Sequence, residues 1–138
     1  MTVLIEINNC QLSDGETNRI KDTVTGEYIS DENGFSLSYA DKNLGGNTLV
    51  TVSGGDFVSV CRADSGFNTE MIFEKGRKRP FVYATPYGEI LLETETKTVT
   101  SFADENGGFV EFEYEILSDG EIQSHNRMKI SFSEEKDV

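Results

Sequence analysis

A reaction centre needs groups that can move a proton, hold a metal or attack a carbon, placed within reach of one another. This sequence offers few such sets. His125 is the single histidine, and it alternates with Arg127 and Lys129 along a strand-like stretch, which puts it on a solvent face. The two cysteines, Cys10 and Cys61, lie far apart in the chain, and with one histidine they make no zinc or iron ligand set of known spacing. Two buried, reduced thiols are expected, with a single bridge as the alternative. The chain has no Gly-x-Ser-x-Gly elbow and no Gly-x-x-x-x-Gly-Lys phosphate loop. Carboxylates are so abundant, 25 Asp and Glu in 138 residues, that a pair of them says nothing about glycosidase-type acid–base work. Asp31-Glu32-Asn33-Gly34 and Asp104-Glu105-Asn106-Gly107 invite a calcium reading. Neither follows the Asp-x-Asp-x-Asp-Gly loop with its distal Glu, and both read as hairpin turns of one type. No catalytic residue, metal ligand or cofactor is assigned, and a non-enzymatic role is expected.

Basic residues are scarce, 12 against 25 acidic ones for a net charge of −13, so their placement carries information. Four of the 12, Lys75, Arg77, Lys78 and Arg79, fall in one five-residue stretch between two predicted strands. That stretch reads as a solvated turn, with an anion-binding or partner-docking loop as the alternative. The overall negative field repels phosphate backbones and anionic lipid, so neither nucleic acid nor membrane is expected as a partner. Met1 to Leu12 has no basic stretch followed by a long apolar one, and no segment approaches the ~18 apolar residues of a membrane helix. With only two cysteines, a reducing cytoplasm is the expected compartment.

The elements that must position these residues are strands. No window shows helical spacing; short alternating segments recur instead, broken at Asp14-Gly15, Asp31–Gly34, Gly45-Gly46-Asn47, Gly54-Gly55-Asp56, Asp64-Ser65-Gly66, Gly76, Pro86-Tyr87-Gly88, Asp104–Gly108 and Asp119-Gly120. Every connection is short, so each strand is expected to pair with its sequence neighbour. An all-β fold follows: one domain over residues 1–138, an up-and-down antiparallel meander. Its two exposed edges favour closure into a β-barrel, with a β-sandwich as the alternative.

Because a charged parity must face water, alternation fixes which side chains point inward. Glu93, Glu95 and Lys97 go out, so Ile90, Leu92, Thr94, Thr96, Thr98 and Thr100 are expected inside. Glu111, Glu113 and Glu115 go out, leaving Val110, Phe112, Tyr114 and Ile116 inside. In the last strand Ile122, Ser124, Asn126, Met128, Ile130 and Phe132 face in. The same rule turns in Phe35, Leu37 and Tyr39, then Phe67, Thr69, Met71 and Phe73, then Phe81, Tyr83 and Thr85. Arg62 and Asp22 are charges on inward parities, and a buried charge is costly unless paired or bound. They sit at a barrel mouth, pair with each other, or, for Arg62, meet an anionic guest. A small, partly polar or anionic ligand would then be lined by Arg62, Tyr83, Thr85, Thr94, Thr96, Tyr114 and Asn126. A filled core whose hydroxyls satisfy one another is the alternative, leaving a strand edge or the Lys75–Arg79 loop for a protein partner.

Arg62, Met71-Ile72-Phe73, Gly76, Tyr83-Ala84-Thr85-Pro86-Tyr87-Gly88-Glu89-Ile90, Thr94 and Thr96 together resemble the YwiB-like family of small bacterial proteins. Gly26, Tyr28 and Leu37-Ser38-Tyr39 fit its opening; Tyr114, Gly120, Asn126 and Ile130 fit its last strands. The resemblance implies a calycin-like barrel, in the broad company of lipocalins and fatty-acid-binding proteins, and carries over no catalytic residue. Lipocalins carry a Gly-x-Trp near their start, and this chain has no Trp.

Overall fold

Alternating β-branched and aromatic residues between Gly- and Asp-rich breaks give ten strands. The computed structural model describes residues 1–40, 45–64 and 67–135, without the side chains of Asp64 and Phe67. The expected Asp64-Ser65-Gly66 turn and the facing of Phe67 thus lie outside the described residues. In chain order the strands are β1 (Thr2–Ser13), β2 (Glu16–Asp31), β3 (Gly34–Ala40), β4 (Asn47–Ser53) and β5 (Phe57–Asp64), followed by β6 (Phe67–Glu74), β7 (Lys78–Thr85), β8 (Gly88–Ala103), β9 (Gly107–Ser118) and β10 (Glu121–Glu134). They form one sheet in the order β6-β5-β4-β3-β2-β1-β10-β9-β8-β7, and every paired neighbour is antiparallel. No helix among the described residues is long and apolar enough to cross a membrane.

The first and last strands are zipped together, from Val3 opposite Glu134 to Leu12 opposite His125. The free ends of the sheet are instead β6 and β7, which follow each other in the chain yet share no ladder. Here the expectation that every strand pairs with its sequence neighbour is corrected. Pro80 lies in the middle of β7, where a missing N–H suits an edge strand. The connector also turns aside to β8: Gly76 N–H donates to Thr96 O at 2.8 Å, and Thr96 N–H donates to Arg77 O at 3.3 Å. Side chains hold the rest of the seam. Thr94 Oγ1 donates to Ile72 O at 2.7 Å, and Arg79 reaches Glu74 at 2.8 Å. The result is a nearly closed ten-stranded barrel.

The turns after β2, β4, β6 and β8 mark one end of the barrel, called lower here, and those after β1, β7 and β9 mark the upper end. At the lower end the two Asp-Glu-Asn-Gly turns are alike in detail. Asp31 Oδ1 accepts the N–H groups of Asn33 and Gly34, and Asp104 Oδ1 accepts those of Asn106 and Gly107, at 2.8 and 3.0 Å in each case. A Cβ on Gly34 would stand 1.8 Å from Val52 O, so the backbones meet there as only glycine allows. Above these turns the lumen is filled. Tyr28, Phe35 and Phe132 cluster with ring centroids 4.8–5.9 Å apart, and Ile5, Leu37, Val50, Val58, Val110, Phe112 and Ile130 are buried around and above them.

Facing follows the alternation in β9 and β10, although Glu115 and Leu117, on the outward parity at the end of β9, are buried rather than exposed; β8 departs from it. Thr96 opposes Tyr114 and Thr98 opposes Glu113, so Lys97 is the extra residue of a bulge. Beyond it the phase inverts: Val99 packs against the core, while Thr98 and Thr100 are exposed. A second irregularity between Ile122 and Ser124 leaves Ile122 exposed at the upper end.

Candidate functional site

The upper lumen carries two polar rungs, each built from residues directly opposite one another on adjacent strands. Tyr39, Thr48, Arg62 and Thr69 run across β3, β4, β5 and β6. Thr96, Tyr114, Asn126 and Gln11 run across β8, β9, β10 and β1. Each residue shares its parity with inward apolar neighbours on its own strand, so each rung faces the lumen. Arg62 lies within electrostatic reach of Tyr114. Tyr114 also meets Phe73 at a tilt, 4.5 Å between centroids, and stacks with Phe112 at 5.6 Å.

Three buried polar atoms of this region have no hydrogen-bond partner: Thr48 Oγ1, Thr96 Oγ1 and Asn9 Oδ1. Thr48 and Thr96 are each 1% exposed. Their neighbours are satisfied. Thr94 donates across the seam to Ile72 O, and Asn126 Nδ2 donates to Ser124 Oγ at 2.9 Å. Burial pushes the Tyr114 phenol up to about 12, partly offset by the Arg62 guanidinium, so it remains an O–H donor at neutral pH. Arg62 itself is exposed at the upper mouth, and no carboxylate among the described residues pairs with it. Asp22 accepts its neighbour Thr23's N–H at 2.9 Å. Of the explanations for these inward charges, the mouth position holds for Arg62, and pairing with Asp22 does not.

The expected lining therefore divides. Arg62, Thr94, Thr96, Tyr114 and Asn126 come together. Tyr83 and Thr85 do not, because β9 begins its pairing with β8 only at Glu93, and the β7–β8 hairpin runs on past it as an arm. Tyr83 is 51% exposed on that arm, opposite Ile90. Thr85 belongs to the turn, donating to Gly88 O at 2.7 Å and accepting Tyr87 N–H at 3.2 Å. Thr48 and Asn9 were missed by the sequence reading although the alternation marks both: Thr48 shares parity with Val50 and Val52, and Asn9 with Ile5 and Ile7.

Away from the lumen, the basic loop is largely engaged. Arg77 and Arg79 reach Glu74 and Lys78 reaches Glu95, while Lys75 is exposed and forms an isolated bridge with Thr96. His125 is exposed on the outer face, 4.0 Å from Glu115, whose carboxylate also holds Lys97 at 2.8 Å. Cys10 and Cys61 are free thiols on the outer face, half-buried rather than buried, because each takes the parity opposite to its inward neighbours. Burial pushes the Cys61 thiol up. Among the described residues no three His, Cys, Asp or Glu side chains stand close enough to hold a metal. An open hollow of about 560 Å³ lies at the lower end between the two Asp-Glu-Asn-Gly turns, rimmed by acidic residues, and does not touch the rungs.

This architecture defines a small, nearly closed antiparallel β-barrel whose lumen is packed below and polar above. The chain belongs to the family described as Domain of unknown function (DUF1934), whose profile matches residues 5–130. It is 27% identical over 132 residues to the Bacillus subtilis (strain 168) protein named Uncharacterized beta-barrel protein YwiB, covering 94% of this chain and 92% of that one. The crystal structure of the YwiB protein from Bacillus subtilis superposes with a TM-score of 0.86 at 26% identity, over 98% of this chain and 92% of that one. The resemblance read from the sequence is borne out, and so is an antiparallel β-barrel.

Proposed function

We propose that this chain is a non-enzymatic binding module, a calycin-like barrel of the cytoplasm that holds a small, partly polar or anionic molecule between its two polar rungs. The observation that carries the reading is the set of three partnerless buried atoms, Thr48 Oγ1, Thr96 Oγ1 and Asn9 Oδ1. An unsatisfied buried polar group costs about 1–3 kcal/mol, a large share of a domain's ~5–15 kcal/mol stability when three occur together. A guest that pairs with them offsets that cost. The meander topology supports the calycin-like class, and the two free thiols support a reducing compartment. Native mass spectrometry of the protein from its own host tests the reading. A co-purifying small molecule that is lost on changing Thr48 and Thr96 to Val supports it. A bare chain with no melting shift across a metabolite library sinks it.

A protein-docking role rests on a different observation. Among the described residues, the upper half of β2, residues 16–25, pairs with β1 alone and offers an edge, since the described pairing with β3 begins at Gly26. Capture of a partner that survives changing Arg77, Lys78 and Arg79 to Ala, but not a proline at Thr23, would favour that edge over the basic loop.

A further inference from the structure

The chemistry of the rungs narrows the guest further, in an inference that rests on the binding reading above. Arg62 presents a planar fork of N–H donors at the upper mouth, and no carboxylate among the described residues neutralises it in a chain of net charge −13. Thr48, directly opposite on β4, is buried and partnerless, and Thr96 opposes Tyr114 on the facing wall with the same property. A hydroxyl free to donate directly opposite a guanidinium, with a second opposite Tyr114, matches a single negative charge. A phosphate monoester brings about −1.5 to −2 at neutral pH and would leave part of that charge uncompensated within an acidic protein. Below the rungs, Phe73, Phe112, Leu37, Val50 and Val58 are each no more than 2% exposed, so a long chain would have to displace packed side chains.

We propose that the guest is a compact organic monocarboxylate, its head held by Arg62 and the Thr48 and Thr96 hydroxyls and its short apolar part resting on the Phe73–Phe112–Tyr114 rings. Amide chemical shifts of the full chain, titrated with benzoate, benzyl alcohol, inorganic phosphate and laurate, test it. Benzoate should move Thr48, Arg62, Thr96 and Tyr114 saturably. Benzyl alcohol, which lacks the charge, should bind at least about tenfold more weakly, and phosphate and laurate should leave the rungs unmoved. Arg62→Gln should weaken benzoate at least about tenfold with an unchanged melting curve, because the side chain is exposed and has no ion pair among the described residues; Thr48→Val should weaken it without restoring alcohol binding. Equal binding of the alcohol, preference for phosphate, saturable laurate binding at the rungs, or indifference to Arg62→Gln each overturns the carboxylate assignment. A neutral guest recovered from the host protein overturns this assignment alone. An empty host protein, with no probe moving the rungs, overturns the binding reading with it.

Discussion

The lower and upper halves of this barrel are made from the same strands but obey different rules. In the lower half, side chains of near-zero exposure interlock around two aromatic clusters, and the turns bring backbone against backbone at Gly34 and Gly107. In the upper half the same inward positions hold Thr, Tyr, Asn, Gln and Arg, and polar atoms stay partnerless. The two Asp-Glu-Asn-Gly turns stand apart from the rest: at Gly15 and Gly120 above, as at Gly55 and Gly76 below, a Cβ would meet nothing within 4 Å. One half is closed by its own residues, and the other is arranged as though for something it does not itself contain. That difference predicts opposite responses to substitution.

The largest effect belongs to the lower half. Phe112 is fully buried between Phe73, at 4.6 Å, and Tyr114. Phe112→Ala should cost about 3–5 kcal/mol in urea unfolding, the transfer and cavity terms adding. A cost below about 2 kcal/mol would mean that the lower lumen is looser than its burial implies, and the contrast between halves would collapse. The turns come next. Gly34→Ala puts a methyl 1.8 Å from the Val52 carbonyl and should cost about 2–3 kcal/mol or prevent folding, because the opposing atom is backbone and cannot swing aside. Gly15→Ala, with open space but φ of 77°, should cost only about 1 kcal/mol. Equal losses in the two variants would break the comparison.

Alkaline pH probes the boundary between the halves. The Tyr114 phenol titrates near 12 in the fold and near 10 when unfolded, since burial disfavours the phenolate. Below pH 10 both states keep the proton and nothing is lost. As pH rises from 10 to 12 the unfolded chain ionises first, so stability falls, by on the order of 2–3 kcal/mol at the upper limit. Tyr114→Phe should remove that part of the alkaline decline. A variant whose decline matches the wild type between pH 10 and 12 would show Tyr114 to be more open to water than its buried place in the rung requires.

Much of this contrast was legible in the residues, and the exceptions have physical causes. Alternation placed Val110, Phe112, Tyr114, Asn126 and Ile130 correctly, since β9 is paired on both sides and its charged parity is unbroken. It lost phase at Thr98 and Thr100 because a bulge at Lys97 inserts one residue, and a rule of period two cannot see an insertion that no glycine marks. Tyr83 and Thr85 have inward parity yet no barrel beside them; that depends on where β9 stops, a property of the partner strand rather than of β7. The seam between β6 and β7 did leave a trace in Pro80, a residue that argues against a central strand. Arg62 is exposed because its strand ends near the mouth, and parity alone says nothing of height along the barrel.

The smallest expected effect separates a satisfied hydroxyl from an unsatisfied one, because it compares two threonines on one face of one strand. Thr94 and Thr96 are both buried. The Thr94 hydroxyl donates to Ile72 O and helps hold the seam, whereas Thr96 Oγ1 has no partner. Replacing Thr94 by Val removes a made bond and leaves a carbonyl short of its donor, a loss of about 1–2 kcal/mol. Replacing Thr96 by Val removes an unmet polar group of nearly the same shape, so guest-free protein should be unchanged or stabilised by up to about 1 kcal/mol. If Thr96→Val instead costs as much as Thr94→Val, the Thr96 hydroxyl is already satisfied within the empty barrel, and the upper half is as self-sufficient as the lower. If it stabilises the empty barrel while weakening the bound guest, one hydroxyl is shown to be kept for the ligand at the expense of the fold.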